Sequence, residues 1–338
     1  MMTGYQILWF VLIAVLFAGF FFLEGFDFGI GMSLKTLAQN EEEEDALIRS
    51  IGPHWDGNEV WLITAGGAMF AAMPFWYASL FSGFYLILFA ILIGLIYRGV
   101  SFEFREQMRT AKFRNLWTTI SSITSMLVPF LFGVLFTDVV QGMPLNANGD
   151  MSANFWDYFN IFSIVGGVAM GLLSYVHGLN YARLKITNGS LHDRIQKQLK
   201  VLYPILLIGE VAFAITLFVF TDFFTKKPVV TIIMLAAIVA LTLIAWAVTL
   251  KQQNTWAFIA LGLVIILVVS LLFTGLFPRV IVGNESNMSI LLKNATSTPY
   301  TLKWMTIISL TALPIVLAYQ IWSFYVFRDR IRVEKISY

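Results

Sequence analysis

Glu24 and Asp27 are the only charged residues in an apolar run from about Tyr5 to Leu34. A carboxylate in hydrocarbon costs about 2.5–3.5 kcal/mol on insertion scales, so a chain that keeps two of them there is expected to use them. Their i, i+3 spacing puts both on one face of a helix. Carboxyls in such a place take up and release protons, or bind a coupling cation. The span itself supplies no cation to neutralise them. A guanidinium reaching across from another helix would favour a purely structural reading.

Two further tracts place polar residues beside apolar runs. Gly52-Pro53-His54-Trp55-Asp56-Gly57-Asn58-Glu59-Val60-Trp61 opens the second run, and Arg98-Gly99-Val100-Ser101-Phe102-Glu103-Phe104-Arg105 closes the third. Asp, Glu and His converging from one face suit a proton entrance. The bland alternatives are that Asp56 caps a helix and that Arg98 pairs with Glu103 or Asp56 to balance charge. Glu210 lies midway along the sixth run, where a hydrogen-bonded protonated carboxyl and a working relay are both open. His177, in the fifth run, is read as a hydrogen-bonded core histidine in preference to a haem ligand. Asp138 and Asp222 fall at helix ends and are expected to be solvated. Glu41-Glu42-Glu43-Glu44-Asp45 is expected to be a solvated loop or helix start.

These residues need apolar elements to position them. Of 338 residues, 58% are hydrophobic and 12% charged, against about 25% charged in soluble domains. The chain is therefore an all-α polytopic membrane protein. Runs long enough to cross about 30 Å of hydrocarbon occur nine times, at about 5–33, 58–75, 79–98, 117–139, 159–183, 201–222, 228–250, 255–277 and 304–327. The second is the weakest; its Gly66-Gly67 is expected to pack against protein. The eighth is polar-poor and suited to face lipid. Pro129, Pro204 and Pro314 lie within runs and are candidate kinks. No basic stretch precedes the first run, so a cleavable leader is not expected.

With the N-terminus outside and the C-terminus inside, only Lys226, Lys227, Arg279, Lys293 and Lys303 of the 22 Lys and Arg fall outside. That asymmetry satisfies the positive-inside rule. It also puts all three polar tracts on the inner side. The longest outer connections divide the chain into 1–140, a first four-helix bundle; 141–157, a loop; 158–277, a second four-helix bundle; 278–303, a loop; and 304–338, a peripheral helix and tail.

With no cysteine, disulfides, thiolate metal sites and iron–sulfur clusters are excluded. Three scattered histidines argue against a metal centre in this chain. No phosphate-binding glycine loop or hydrolytic triad is present. The basic inner loops read as orientation signals, with no nucleic-acid partner.

The chain resembles subunit II of the cytochrome bd-type quinol oxidases. The resemblance rests on Glu24-Gly25-Phe26-Asp27-Phe28-Gly29-Ile30-Gly31, on Pro53 to Ala68, on Phe81-Ser82-Gly83-Phe84-Tyr85 and on Arg98 to Arg105. Strong motifs cover about the first 110 residues. Glu24 stands where many relatives carry Asp, and Glu59 where some carry Gln. The resemblance implies a respiratory membrane enzyme, a heterodimer that oxidises quinol and reduces dioxygen to water. The partner, subunit I, would hold two haems b, one haem d and the quinol site. This chain would bind no haem itself and would not be catalytic alone. It would stabilise subunit I and help bring cytoplasmic protons to the oxygen-reducing site through Glu24, Asp27, His54, Asp56 and Glu59. Arg98, Glu103 and Glu210 would be supporting polar groups. A structural quinone, bound lipid and a small single-helix subunit are further components the resemblance allows.

Two rivals stand beside this reading. An ion-coupled secondary transporter would bind its cation at Glu24 and Asp27, with broken helices in two repeats; only one interrupted region, at Gly66-Gly67, is visible. A pure scaffold would use the acids as neutralised structural groups.

Overall fold

The computed structural model describes residues 2–285 and 288–333; Lys335, one of the inner cations, lies outside them. The elements in order are α1 (Gly4–Thr36), α2 (Glu41–Ile51), α3 (Trp55–Ala72), α4 (Pro74–Gly83), α5 (Tyr85–Gln107), α6 (Ala111–Gln141), α7 (Phe155–Tyr158), α8 (Ile161–Lys185), α9 (Ser190–Phe220), α10 (Phe223–Lys226), α11 (Pro228–Leu250), α12 (Asn254–Leu276), β1 (Arg279–Ile281), β2 (Ile290–Leu291), α13 (Leu292–Ala295) and α14 (Pro299–Val326). Among the described residues, eight helices are long and apolar enough to cross a membrane: α1, α5, α6, α8, α9, α11, α12 and α14. The weak second run forms α3, an 18-residue helix outside those eight. A two-residue antiparallel pairing of β1 with β2 interrupts the all-α pattern in the 278–303 connection.

Local chemistry sets the helix limits. Thr3 and Gln6 form a reciprocal capping box at the start of α1, satisfying two orphan backbone donors. Asn160 and Ser163 do the same for α8. Pro74 opens α4 at a position where its missing N–H costs nothing. Residues 79–83, assigned from sequence to the third run, therefore belong to a separate helix, and the third run proper begins at Tyr85.

Helix α1 is the hub, packing on α3, α6, α8, α12 and α14. It meets α8 where Gly29 crosses Gly178: a Cβ on Gly29 would fall 2.3 Å from the Ser174 carbonyl oxygen. Helices α6 and α8 meet in the same way at Gly133 and Gly166. Without a hydrophobic force between helices in lipid, such backbone proximity supplies the packing energy. Helices α8, α9, α11 and α12 close a ring in that order.

Gly66 and Gly67 have nothing within 4 Å of a Cβ placed on them, so any protein they pack against lies outside this chain. One expectation about faces is corrected. Helix α12 is largely interior, with Ala257, Leu261, Val264, Ile265 and Phe273 buried between α1, α6, α8 and α11. The most exposed span is α14, where only Leu302 and Thr306 are buried.

The acidic run forms the first turn of α2 behind the N-cap Asn40, but it is not a solvated segment. Glu43 is buried and accepts from Arg194 of α9. Glu44 binds Arg105 of α5 at 3.1 Å and Lys35 of α1 at 2.8 Å. Asp45 also accepts from Arg105, and Glu41 pairs with Arg114 of α6. The strap ties four spans together at one end of the molecule.

Candidate functional site: a buried carboxyl cluster around Arg98

Glu24 and Asp27 are both fully buried, one helical turn apart on α1. Arg98 of α5, equally buried, donates through one terminal nitrogen to Glu24 and, at 3.0 Å, to Glu59 of α3. Its guanidinium carbon sits 4.9 Å from the Phe28 ring and 5.6 Å from the Phe102 ring. The π faces attract the cation. Asp27 has a different partner: Asn58 Nδ2 donates to its Oδ2 at 2.7 Å. Glu24 Oε2 and Asp27 Oδ1 have no hydrogen-bond partner.

The three sequence tracts thus meet in one place, but not all of their residues take part. Arg98 turns to Glu24 and Glu59, not to Glu103, which is exposed. Asp56 is exposed in the first turn of α3, its Oδ1 accepting from Gly57 N at 2.7 Å. An acid in a first turn complements the helix dipole. Glu59 is partly exposed and lies between exposed Asp56 and the buried pair.

His54 is buried and stacks on Phe324 of α14 at 4.0 Å. Burial and then the charge of Lys185 push its imidazole down to about 4, so it is neutral at physiological pH. No hydrogen bond to Glu24, Asp27 or Glu59 is formed by its ring.

The remaining candidates lie elsewhere. Glu210 is in α9, where its Oε1 accepts from Thr242 Oγ1 of α11 at 2.5 Å. It borders an apolar cavity of about 380 Å³ between α1, α6, α8, α9, α11 and α12. His177 donates Nε2–H to the Phe22 carbonyl at 3.0 Å and stacks on Phe258. It is a buried, hydrogen-bonded residue of the helix core. Among the described residues, no group of three or more His, Asp or Glu is arranged to hold a metal ion.

Asp138 and Asp222 are paired where solvation was expected. Asp138 is fully buried and accepts from Asn160 Nδ2. Asp222 takes a bidentate pair from Arg279 at 2.7 and 2.8 Å. Partial burial opposes its ionisation, but the bonds from Arg279 and Lys226 outweigh that and hold it down at about 2.

Asn58 and Trp61 stand within a sequence motif that gives neither a role, and Gln320 lies outside every motif. Trp61 Nε1 donates to Gln320 Oε1 at 2.9 Å, and Gln320 Nε2 reaches Asn58 Oδ1 at 3.4 Å. The available signal was the one amide in the last span, a residue type that bonds across helices in membranes.

The sequence profile described as cytochrome bd terminal oxidase subunit II matches residues 5–327. The chain belongs to that family. It is 43% identical over 331 residues to the cytochrome bd ubiquinol oxidase subunit 2 of Bacillus subtilis, covering 98% of each chain. It is 31% identical over 373 residues to the cytochrome bd-I ubiquinol oxidase subunit 2 of Escherichia coli K12, covering 99% of this chain and 98% of that one. A chain in the structure of bd oxidase from Geobacillus thermodenitrificans shares the fold with a TM-score of 0.78 at 13% identity, over 96% of this chain and 99% of that one. As a subunit II, the chain is a multi-pass membrane component of a bd-type quinol oxidase in respiratory electron transport.

Proposed function

We propose that this subunit passes protons from the inner face toward the oxygen-reducing site through Asp56, Glu59, Glu24 and Asp27, with His54 beside the route as a packing group. The observation that carries the reading is the composition of the cluster: three carboxyls, two of them fully buried, lie around one guanidinium that bonds Glu24 and Glu59, so the pairing that a structural role would need neutralises one acid and leaves two. One cation balances one carboxylate, and an unpaired buried charge is strongly unfavourable. The cluster therefore has capacity for up to two protons. The order from exposed Asp56 through partly exposed Glu59 to buried Glu24 and Asp27 gives those protons a way in.

The same reading assigns nine spans, counting α3, with the N-terminus out and the C-terminus in. The spans form two four-helix bundles, α1-α3-α5-α6 and α8-α9-α11-α12, with α14 peripheral. The Lys and Arg asymmetry supports that orientation. The partner is a haem-bearing subunit I, which holds the haems and the quinol site and carries out the catalysis. An exposed face of α3 with Gly57, Thr64, Gly67 and Ala71 suits close docking of a second membrane protein.

In the purified complex, Asp27→Asn is expected to slow oxygen consumption while haem content and assembly stay normal. Wild-type turnover in that variant would refute the proton route. Loss of haem or assembly in place of rate would favour a scaffold role.

A further inference from the structure

The span that touches the body least reaches the buried cluster through one side chain. Trp61 Nε1 donates to Gln320 Oε1 at 2.9 Å, Gln320 Nε2 donates to Asn58 Oδ1 at 3.4 Å, and Asn58 Nδ2 donates to Asp27 Oδ2 at 2.7 Å. An indole N–H only donates. The end of Gln320 that faces it is therefore the carbonyl, and its NH₂ must face Asn58. Asn58 in turn presents its carbonyl to Gln320 and its NH₂ to Asp27. Each amide has one accepting and one donating end, so the sense set at Trp61 passes unchanged along the chain.

The seat of Trp61 is tight. Its six-membered ring lies against Gly19 of α1, where a Cβ would fall 2.3 Å from the ring. One turn beyond Gln320, Phe324 stacks on His54, which holds α14 beside the amide contact.

We propose that Trp61, Gln320 and Asn58 are positioning residues for proton transfer. They form a directional relay that makes Asp27 Oδ2 a permanent acceptor and reserves Oδ1, which has no partner, for the mobile proton. The inference rests on the proton-route reading above. The last helix thereby fixes which oxygen of Asp27 is loaded. If the relay is broken, the Asn58 amide is free to turn its carbonyl toward Asp27, where it blocks the acceptor and leaves the carboxyl without a fixed orientation.

The test uses the intact complex with Gln320→Leu, Trp61→Phe, the double variant and Asp27→Asn in parallel. Each single relay variant frees the Asn58 amide and so loosens its bond to the Asp27 carboxyl, which predicts oxygen consumption about tenfold slower at normal haem content. Both should move the pH profile of turnover by the same amount. The double variant should be no slower than either single one, because both break the same chain. Trp61→Phe keeps the ring in place, so it decides the matter if Gln320→Leu assembles poorly. Wild-type turnover and pH profile in Trp61→Phe, with Asp27→Asn slow, would overturn the relay and leave the proton route standing. Additive losses in the double variant would mean packing and would also overturn it. Wild-type turnover in Asp27→Asn would remove the proton route and the relay together.

Discussion

Two carboxyl sites within apolar spans of this molecule have opposite surroundings. In the α1–α3–α5 cluster, Glu24 and Glu59 share the Arg98 guanidinium, Asp27 accepts from the Asn58 amide, and exposed Asp56 stands one turn before Glu59. In the α9–α11 site, Glu210 has a single hydroxyl partner, Thr242, and otherwise faces an apolar cavity. Both carry an acid in an apolar span. Conduction, however, requires that a proton find a second acceptor within reach, and only the first site supplies one. On the proposed route, the contrast separates a group placed to pass protons from a group that keeps one hydrogen bond in an apolar span. A cation decides the charge state as well: Arg98 holds a carboxylate in the first site, whereas no cation is bonded to Glu210.

Four substitutions would break or sharpen that contrast. The largest effect is expected from Arg98→Leu. Removing one partner of a buried ion pair costs about 3–5 kcal/mol, so the complex should fail to assemble or lose much of its thermal stability, read as recovered haem and melting temperature. Next comes Glu24→Gln, which keeps the hydrogen-bond shape but not the proton. Losing a positioned acid–base group predicts turnover down by about tenfold or more at normal haem content, measured with an oxygen electrode. Glu210→Gln, its counterpart in the other half, should leave turnover at the wild-type rate and change stability by less than about 1 kcal/mol, since Thr242 can still donate to the amide oxygen. A slow Glu210→Gln enzyme would erase the distinction between the halves.

The smallest effect concerns His54. Its imidazole is held at about 4, below the ordinary 6.5, by burial and Lys185. The unfolded chain therefore binds a proton before the folded one does. The stability His54 contributes is complete above pH 6.5 and declines as the pH falls from 6.5 toward 4. His54→Phe should retain turnover at pH 7 and flatten the fall of melting temperature across that window.

Much of this was legible in the residues. Glu24, Asp27 and Arg98 announce themselves because charge in apolar spans is costly, and the spans themselves follow from hydropathy. The partner of Arg98 was not legible. Glu103 and Asp56 were the expected partners of Arg98, and only the folded arrangement of α1, α3 and α5 gives it Glu24 and Glu59 instead. The α2 strap was hidden because an acidic run at a helix start reads as solvated until Arg105 and Arg194 arrive from distant helices. The small residues at Gly66-Gly67 signal close packing without saying which chain supplies the other side. Gln320 was hidden because its partner Asn58 lies far away in sequence and only the return of α14 joins them.

The central claim is that protons enter through the Arg98 cluster. It is tested most directly by mixing the fully reduced complex with oxygen and following proton uptake with a pH dye on the millisecond scale, in wild type and in Asp27→Asn. Uptake in the variant should lag behind wild type while oxygen binding at the haem keeps its normal rate. Uptake at the wild-type rate in Asp27→Asn would contradict the claim.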